Sequence, residues 1–195
     1  MFDRRTFLVK ERIRALHITD RYDILDPASG ATIGVAEERI PGWVKALRLL
    51  MRKVALPTTI VVCEREGGTP VLTLHRGWHF LVAKVRVTGA DGRPIGTLKS
   101  KVFSIGGAFR VFDPDEREVA VVQGNLIGWN FEMKDMEGRR IGAVTKKWAG
   151  IGKELFTNAD NYMISLEAER LPASVTALLL AAGLAIDLVF KERQR

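Results

Sequence analysis

Cysteine occurs once in this 195-residue chain, histidine three times and proline seven times. The lone Cys63 excludes an internal disulfide and suits a reducing compartment. It follows the apolar run Ile60-Val61-Val62, which implies a buried, inert thiol rather than a nucleophile. Scarce proline beside 18 glycines, with no low-complexity tract, excludes a linker-rich or disordered chain. No HExxH, CxxC, phosphate loop or GxSxG elbow is present. His75 and His79 are separated by Arg76-Gly77-Trp78, which reads as a turn between strands, where that spacing does not make a bidentate metal site. They and His17 read as ordinary surface or core histidines. No nucleophile, base and acid come together either, so an enzyme is not expected. The opening residues Met1-Phe2-Asp3-Arg4-Arg5 lack the apolar run of a secretory signal, which makes cytoplasm the expected location.

What the chain does have is apolar content, 47% of residues, enough to fill the core of one domain spanning 1–195. Thirty Lys and Arg against 23 acids give a formal net charge of +7. That excess favours a polyanionic partner, either anionic lipid or nucleic acid. Aromatics make up only 8% of the chain and no RNP-like or KH-like motif occurs, so nucleic acid is the weaker of the two. A protein partner for the basic face is a third reading.

A hairpin unit repeats along the sequence. Tyr22-Asp23-Ile24-Leu25 alternates, turns at Asp26-Pro27-Ala28-Ser29-Gly30 and resumes at Ile33-Gly34. The pattern returns over 85–96 and 131–142, each ending in Ile-Gly, and more weakly over 109–120. Period-two segments joined by Asp and Gly read as β-hairpins, because those residues tolerate left-handed turn conformations. Further strands are expected at 58–64, 70–74 and 79–83. Short strands in such succession predict a mainly β, antiparallel meander that closes as a barrel or sandwich.

Two segments depart from the β pattern. Over 43–54 the residues Trp43, Val44, Leu47, Leu50, Met51 and Val54 fall within roughly 120° of a helical wheel, opposite Lys45, Arg48, Arg52 and Lys53. Such a basic amphipathic helix either packs on its own domain or lies on an anionic surface. The segment 175–190 is apolar on every side, with Val175, Leu179, Gly183, Ile186 and Phe190 along it and one acid, Asp187. As a helix it would be roughly 24 Å long, short of the ~30 Å hydrocarbon thickness of a bilayer. Enclosure in a barrel is the expectation, with Asp187 meeting a basic or polar partner. Of the tryptophans, Trp43, Trp78 and Trp129 read as core, and Trp148, beside Lys146 and Lys147, as an interfacial anchor.

The basic-aromatic run Lys146-Lys147-Trp148-Ala149-Gly150, the following segment through Asn158-Ala159-Asp160-Asn161-Tyr162, and the apolar stretch to Phe190 together resemble the C-terminal end of the phospholipid scramblases and LURP-one-related proteins, of the tubby C-terminal-like superfamily. The resemblance implies a closed barrel of about twelve strands enclosing the C-terminal helix. It also implies a membrane-associated phospholipid-binding protein, peripheral at the inner face of the plasma membrane; the basic helix and the basic-aromatic run then offer Lys45, Arg48, Arg52, Lys53, Lys146, Lys147 and Trp148 as contacts to anionic or phosphoinositide headgroups. The alternatives are lipid scrambling with the C-terminal helix inserted, and a soluble scaffold or ligand carrier. Asn158, Asp160 and Glu169 correspond to the scramblase calcium segment. Asn158 stands where the family has its first acid, and Met163 where a small turn residue belongs, so no calcium or other cofactor is expected. The family's Pro-rich arm and palmitoylated cysteine cluster find no counterpart in these residues, so acyl anchoring is not expected.

Overall fold

The computed structural model describes residues 1–12, 19–47, 56–79, 82–101, 107–125, 128–146, 161–167 and 172–190. Twelve antiparallel strands form a closed barrel in which each strand pairs with its sequence neighbour and β1 closes on β12. The strands are β1 (Thr6–Glu11), β2 (Arg21–Leu25), β3 (Thr32–Arg39), β4 (Thr58–Cys63), β5 (Pro70–Arg76) and β6 (Lys84–Gly89). They continue with β7 (Pro94–Ser100), β8 (Ala108–Phe112), β9 (Glu118–Asn125), β10 (Asn130–Asp135), β11 (Arg140–Thr145) and β12 (Asn161–Leu166). A short helix α1 (Gly42–Leu47) lies between β3 and β4, and α2 (Ala173–Phe190) follows β12.

The repeated sequence unit is a repeated turn. In β10–β11, the Gly138 amide donates to the Asp135 carbonyl (3.0 Å) and the Asp135 amide to the Arg139 carbonyl (2.9 Å). The Asp135 carboxylate accepts from the Glu137 and Arg139 amides, 2.9 Å each. Gly138 has φ +80°, and the ladder register slips between Met133 and Lys134, the one-residue bulge such a turn requires. The same backbone bonds join Gly89, Gly92 and Arg93 in β6–β7, and Asp113, Glu116 and Arg117 in β8–β9. In the last of these the left-handed position is held by Glu116 at φ +60°, so the weakest sequence copy keeps the geometry without glycine.

Antiparallel order gives the barrel two unlike rims. The turns 26–31, 64–69, 90–93, 113–117 and 136–139 make one; the connections 12–20, 40–57, 77–83, 101–107, 126–129 and 146–160, all but 126–129 longer than those turns, leave from strand ends at the other. Helix α2 leaves β12 at the tight-turn rim and runs through the barrel to the long-connection rim. Its residues from Thr176 to Val189 are all buried, facing inward strand residues such as Phe7, Leu74, Val87, Phe109, Phe131 and Ile164. Eighteen residues give it a length of about 27 Å, and among the described residues no helix is long and apolar enough to cross a membrane.

Small residues let wall and helix approach. A Cβ on Gly183 would come within 2.4 Å of Ile164 Cδ1, and one on Gly96 within 2.4 Å of the Phe112 carbonyl and 2.8 Å of Leu178 Cδ1. Of the recurring Ile-Gly pairs, the one in β7 places its glycine where the wall meets the helix.

Two expectations need correction. In the segment expected as a strand over 79–83, the described residues His79, Val82 and Ala83 are not strand but part of the β5–β6 connection, and Phe80 and Leu81 lie outside the described residues. Ala83 bonds only the end of β7, through Ser100, and the ladder starts at Lys84 opposite Lys99. Strand β1 escaped the periodicity reading, because Phe7, Leu8 and Val9 are buried in succession and show no alternation. Cys63 is buried on β4.

Gly96→Val should lower stability by about 1–3 kcal/mol through overpacking against a backbone carbonyl. In urea unfolding this would appear as a lower midpoint at unchanged slope. Gly42→Ala, whose Cβ would meet nothing within 4 Å, should leave the midpoint unchanged.

Candidate lipid-binding rim

The long-connection rim gathers the unusual polar chemistry of the molecule, inside and out. Inside, α2 ends there, and the C-terminal carbonyls of a helix, which lack intrahelical partners, carry partial negative charge. Arg76, fully buried at the end of β5, meets it: Nη1 donates to the Leu188 carbonyl and Nη2 to the Leu56 carbonyl at 3.2 Å. At the same rim, the Tyr22 hydroxyl donates to the buried Asp187 carboxylate. The polar partner expected for Asp187 is therefore a tyrosine of β2. The Thr58 hydroxyl donates to buried Glu38 at 2.6 Å, and the second Glu38 oxygen accepts from the Asp20 amide at 3.1 Å. Hydrogen-bonded polar groups thus help seal the rim from within, beside buried apolar residues such as Val44, Leu56 and Trp129.

Outside, α1 buries only Val44; Trp43 is 54% exposed and Lys45 is exposed. Trp43 stacks on Trp78 of the β5–β6 connection, with ring centroids 6.1 Å apart and planes 19° apart. Trp78 is itself 49% exposed. The expectation that these two tryptophans are core is thus overturned: both are about half exposed and stack on each other outside a barrel interior already filled by α2. Trp129, by contrast, is buried against Phe131 and Tyr162, and Lys146 lies 4.7 Å above its ring.

Of the basic contacts expected from the sequence, Lys45 sits on α1 and Lys146 on Trp129, both at this rim. Arg48, Arg52, Lys53, Lys147 and Trp148 lie outside the described residues, as do Asn158, Asp160, Glu169 and His17. Among the described residues no group of three or more His, Cys, Asp or Glu could hold a metal ion. His75 instead shares a 3.0 Å hydrogen bond with the Thr59 hydroxyl. Along α2, Leu179, Ile186 and Asp187 are buried, Val175 is half-buried near the helix start, and Phe190 ends the helix. Sequence reasoning missed Arg76. Its only signal was a cation at the inward phase of an alternating strand, after Leu72 and Leu74.

A cleft of about 510 Å³ opens on the outer wall beside this rim, lined by Lys101, Gln123, Asn125, Asn130 and Glu132. The carboxylate among its donors makes it a poor cradle for an anionic headgroup.

Similarity to known proteins accords with this architecture. The scramblase family profile matches residues 7–193. Phospholipid scramblase 2 of Bos taurus is 36% identical over 153 residues, covering 71% of this chain and 52% of that protein. Phospholipid scramblase 1 of Mus musculus is 26% identical over 151 residues, covering 70% of this chain and 45% of that protein. The Saccharomyces cerevisiae protein named altered inheritance rate of mitochondria protein 25 is 19% identical over 195 residues, covering 85% of this chain and 59% of that protein. The chain spans about half the length of the curated scramblases it matches. No solved structure gives a significant match.

Tyr22 and Tyr162 are the two tyrosines of the chain, and both face Asp187. Desolvation first, and then the Asp187 carboxylate, push both hydroxyls well above the ordinary phenol range. The folded state therefore keeps protons that the unfolded chain releases above about pH 10. Stability fully present below that pH should fall as pH rises beyond it, by up to about 1.4 kcal/mol per pH unit for each tyrosine. Chemical denaturation across an alkaline series measures the slope, and Tyr22→Phe should halve it. That variant should also cost about 1–3 kcal/mol at neutral pH, by leaving Asp187 without its phenol donor.

Proposed function

The chain belongs to the scramblase family, and from that premise we propose that it is a membrane-associated phospholipid-binding module that recognises anionic or phosphoinositide headgroups. Its site is the basic long-connection rim, with Lys45, Arg48, Arg52, Lys53, Lys146, Lys147 and Trp148 as contacts. The observation that carries the reading is the charge of the Trp-bearing connection 40–57, which holds four cations and no carboxylate, beside the Trp-bearing connection 77–83, which holds neither carboxylate nor Lys or Arg. Such a surface is matched by a leaflet of negative headgroups. The protein then works by binding lipid rather than by bond-making chemistry, without a metal, from the cytoplasmic face of the membrane.

The enclosure of α2 supports peripheral binding: a helix already surrounded by protein gains little by transfer to lipid. The names of the relatives favour a second reading, movement of phospholipid between leaflets, in which α2 would leave the barrel and insert. Resistance to alkaline carbonate extraction would select that reading over the first.

Flotation with vesicles of phosphatidylcholine alone, and with phosphatidylserine or a phosphoinositide added, tests the proposal. Binding should require the anionic lipid and weaken with salt. Replacing Lys45, Arg48, Arg52 and Lys53 together by Gln should weaken it by roughly two to three orders of magnitude, at about 1 kcal/mol per cation near a charged surface. Equal flotation on neutral vesicles, or an unaffected quadruple variant, would refute the site. Failure to bind any vesicle would turn the search to soluble partners.

A further inference from the structure

Trp43 and Trp78 come from different connections, yet stand together, each about half exposed, at the rim where α2 ends. Val82, in the same connection as Trp78, is 42% exposed. A single exposed apolar side chain needs no explanation, but two indoles stacked on each other make a patch that does. Exposed Arg39 precedes α1 and exposed Lys45 lies within it; neither makes an ion pair among the described residues. We propose that the Trp43–Trp78 stack is the insertion point of this protein in a bilayer, its indoles lying at headgroup depth while the neighbouring cations face lipid phosphates. This rests on the lipid-binding reading above and adds to it an anchor and an orientation.

Size distinguishes a bilayer from a protein partner. Two indoles of ~150–250 Å² each, half of it still exposed, offer about 200 Å², far below the ~800 Å² per side of a stable protein interface. A bilayer interface needs no such area, because it surrounds whatever enters it, and indole suits it by pairing an apolar ring with a polar N–H. Charge points the same way, since the connections that carry the pair contain no acid to repel an anionic leaflet. The stack also holds each ring against the other before contact, so little side-chain freedom remains to be lost on insertion.

Orientation follows from the anchor. The rim that docks is the one at which α2 ends against Arg76, Tyr22 and Asp187. The polar seal of the barrel therefore lies next to the membrane, and the tight-turn rim faces away.

The test uses the full chain with phosphatidylcholine–phosphatidylserine vesicles whose acyl chains carry bromine at shallow or deep positions. Wild-type tryptophan fluorescence should be quenched, more by shallow than by deep bromine. Trp43→Ala with Trp78→Ala, made together with Trp148→Phe to silence that proposed contact, should lose that quenching while Trp129 still reports. It should bind about tenfold or more weakly than Trp148→Phe alone, at an unchanged melting temperature. If it binds as tightly as Trp148→Phe alone, or its remaining tryptophan is quenched as before, the anchor is wrong although lipid binding stands. If wild type binds no anionic vesicle, both readings fall. Should the alanine variant be destabilised, Trp43→Phe with Trp78→Phe, again together with Trp148→Phe, keeps a ring pair. Loss of quenching with binding retained then supports the anchor, and quenching that persists overturns it.

Discussion

An α-helix that is apolar on every side has no face to give to water, and every large feature of this protein answers that constraint. A single flat sheet would cover one side of α2 and leave the other wet. Closing twelve strands around it removes the remaining exposure and also abolishes the sheet edges that invite association. The closing ladder, β1 on β12, is consequently the step on which the core depends: it joins the first strand to the strand immediately before the helix. Close packing then dictates small residues at the contacts, hence Gly183 on the helix and Gly96 on the wall.

Enclosure solves the apolar problem and creates a polar one at the helix end. The last carbonyls of α2 and the Asp187 carboxylate lie inside the barrel mouth, where unpaired groups would be costly. Arg76 and Tyr22 supply the donors, drawn from strands on different parts of the wall. They also pin the helix along the barrel axis, since its C-terminus is bonded to one fixed place. Of the described connection tryptophans at that mouth, Trp129 enters the core, and with the interior occupied Trp43 and Trp78 do not. Trp43 and Trp78 are thereby left at the surface, and the rim that seals the barrel is also the rim that carries aromatic and basic side chains outward.

Much of this was legible from local pattern. The turns were, because a Gly at a left-handed position and an Asp accepting neighbouring amides impose their geometry within a few residues; the weaker copy at Asp113–Arg117 differs in having Glu116 in place of glycine. The enclosed helix was legible from its uniform apolarity, and the need of Asp187 for a polar partner from the cost of an unpaired buried carboxylate. Strand β1 was not, since three consecutive buried residues carry no period. The run 79–83 misled because alternation describes a side-chain pattern and not the presence of a neighbouring strand. The exposure of Trp43 and Trp78 was hidden for a related reason: amphipathic spacing marks an apolar stripe without saying whether the domain has room for it.

What the sequence determined by itself is the local grammar: the hairpins, their bulged turns, one helix too apolar for water and a net positive charge. These follow from residues close together in the chain, whose conformational preferences act over a turn or a strand. Only the tertiary structure decided that the cation at Arg76 turns inward to cap a helix 112 residues away. It alone decided that Tyr22 serves Asp187 across 165 residues, and that two tryptophans from separate connections meet at one rim. Those outcomes depend on which strand ends barrel closure brings together, and on a core volume already filled by α2; no local preference encodes either.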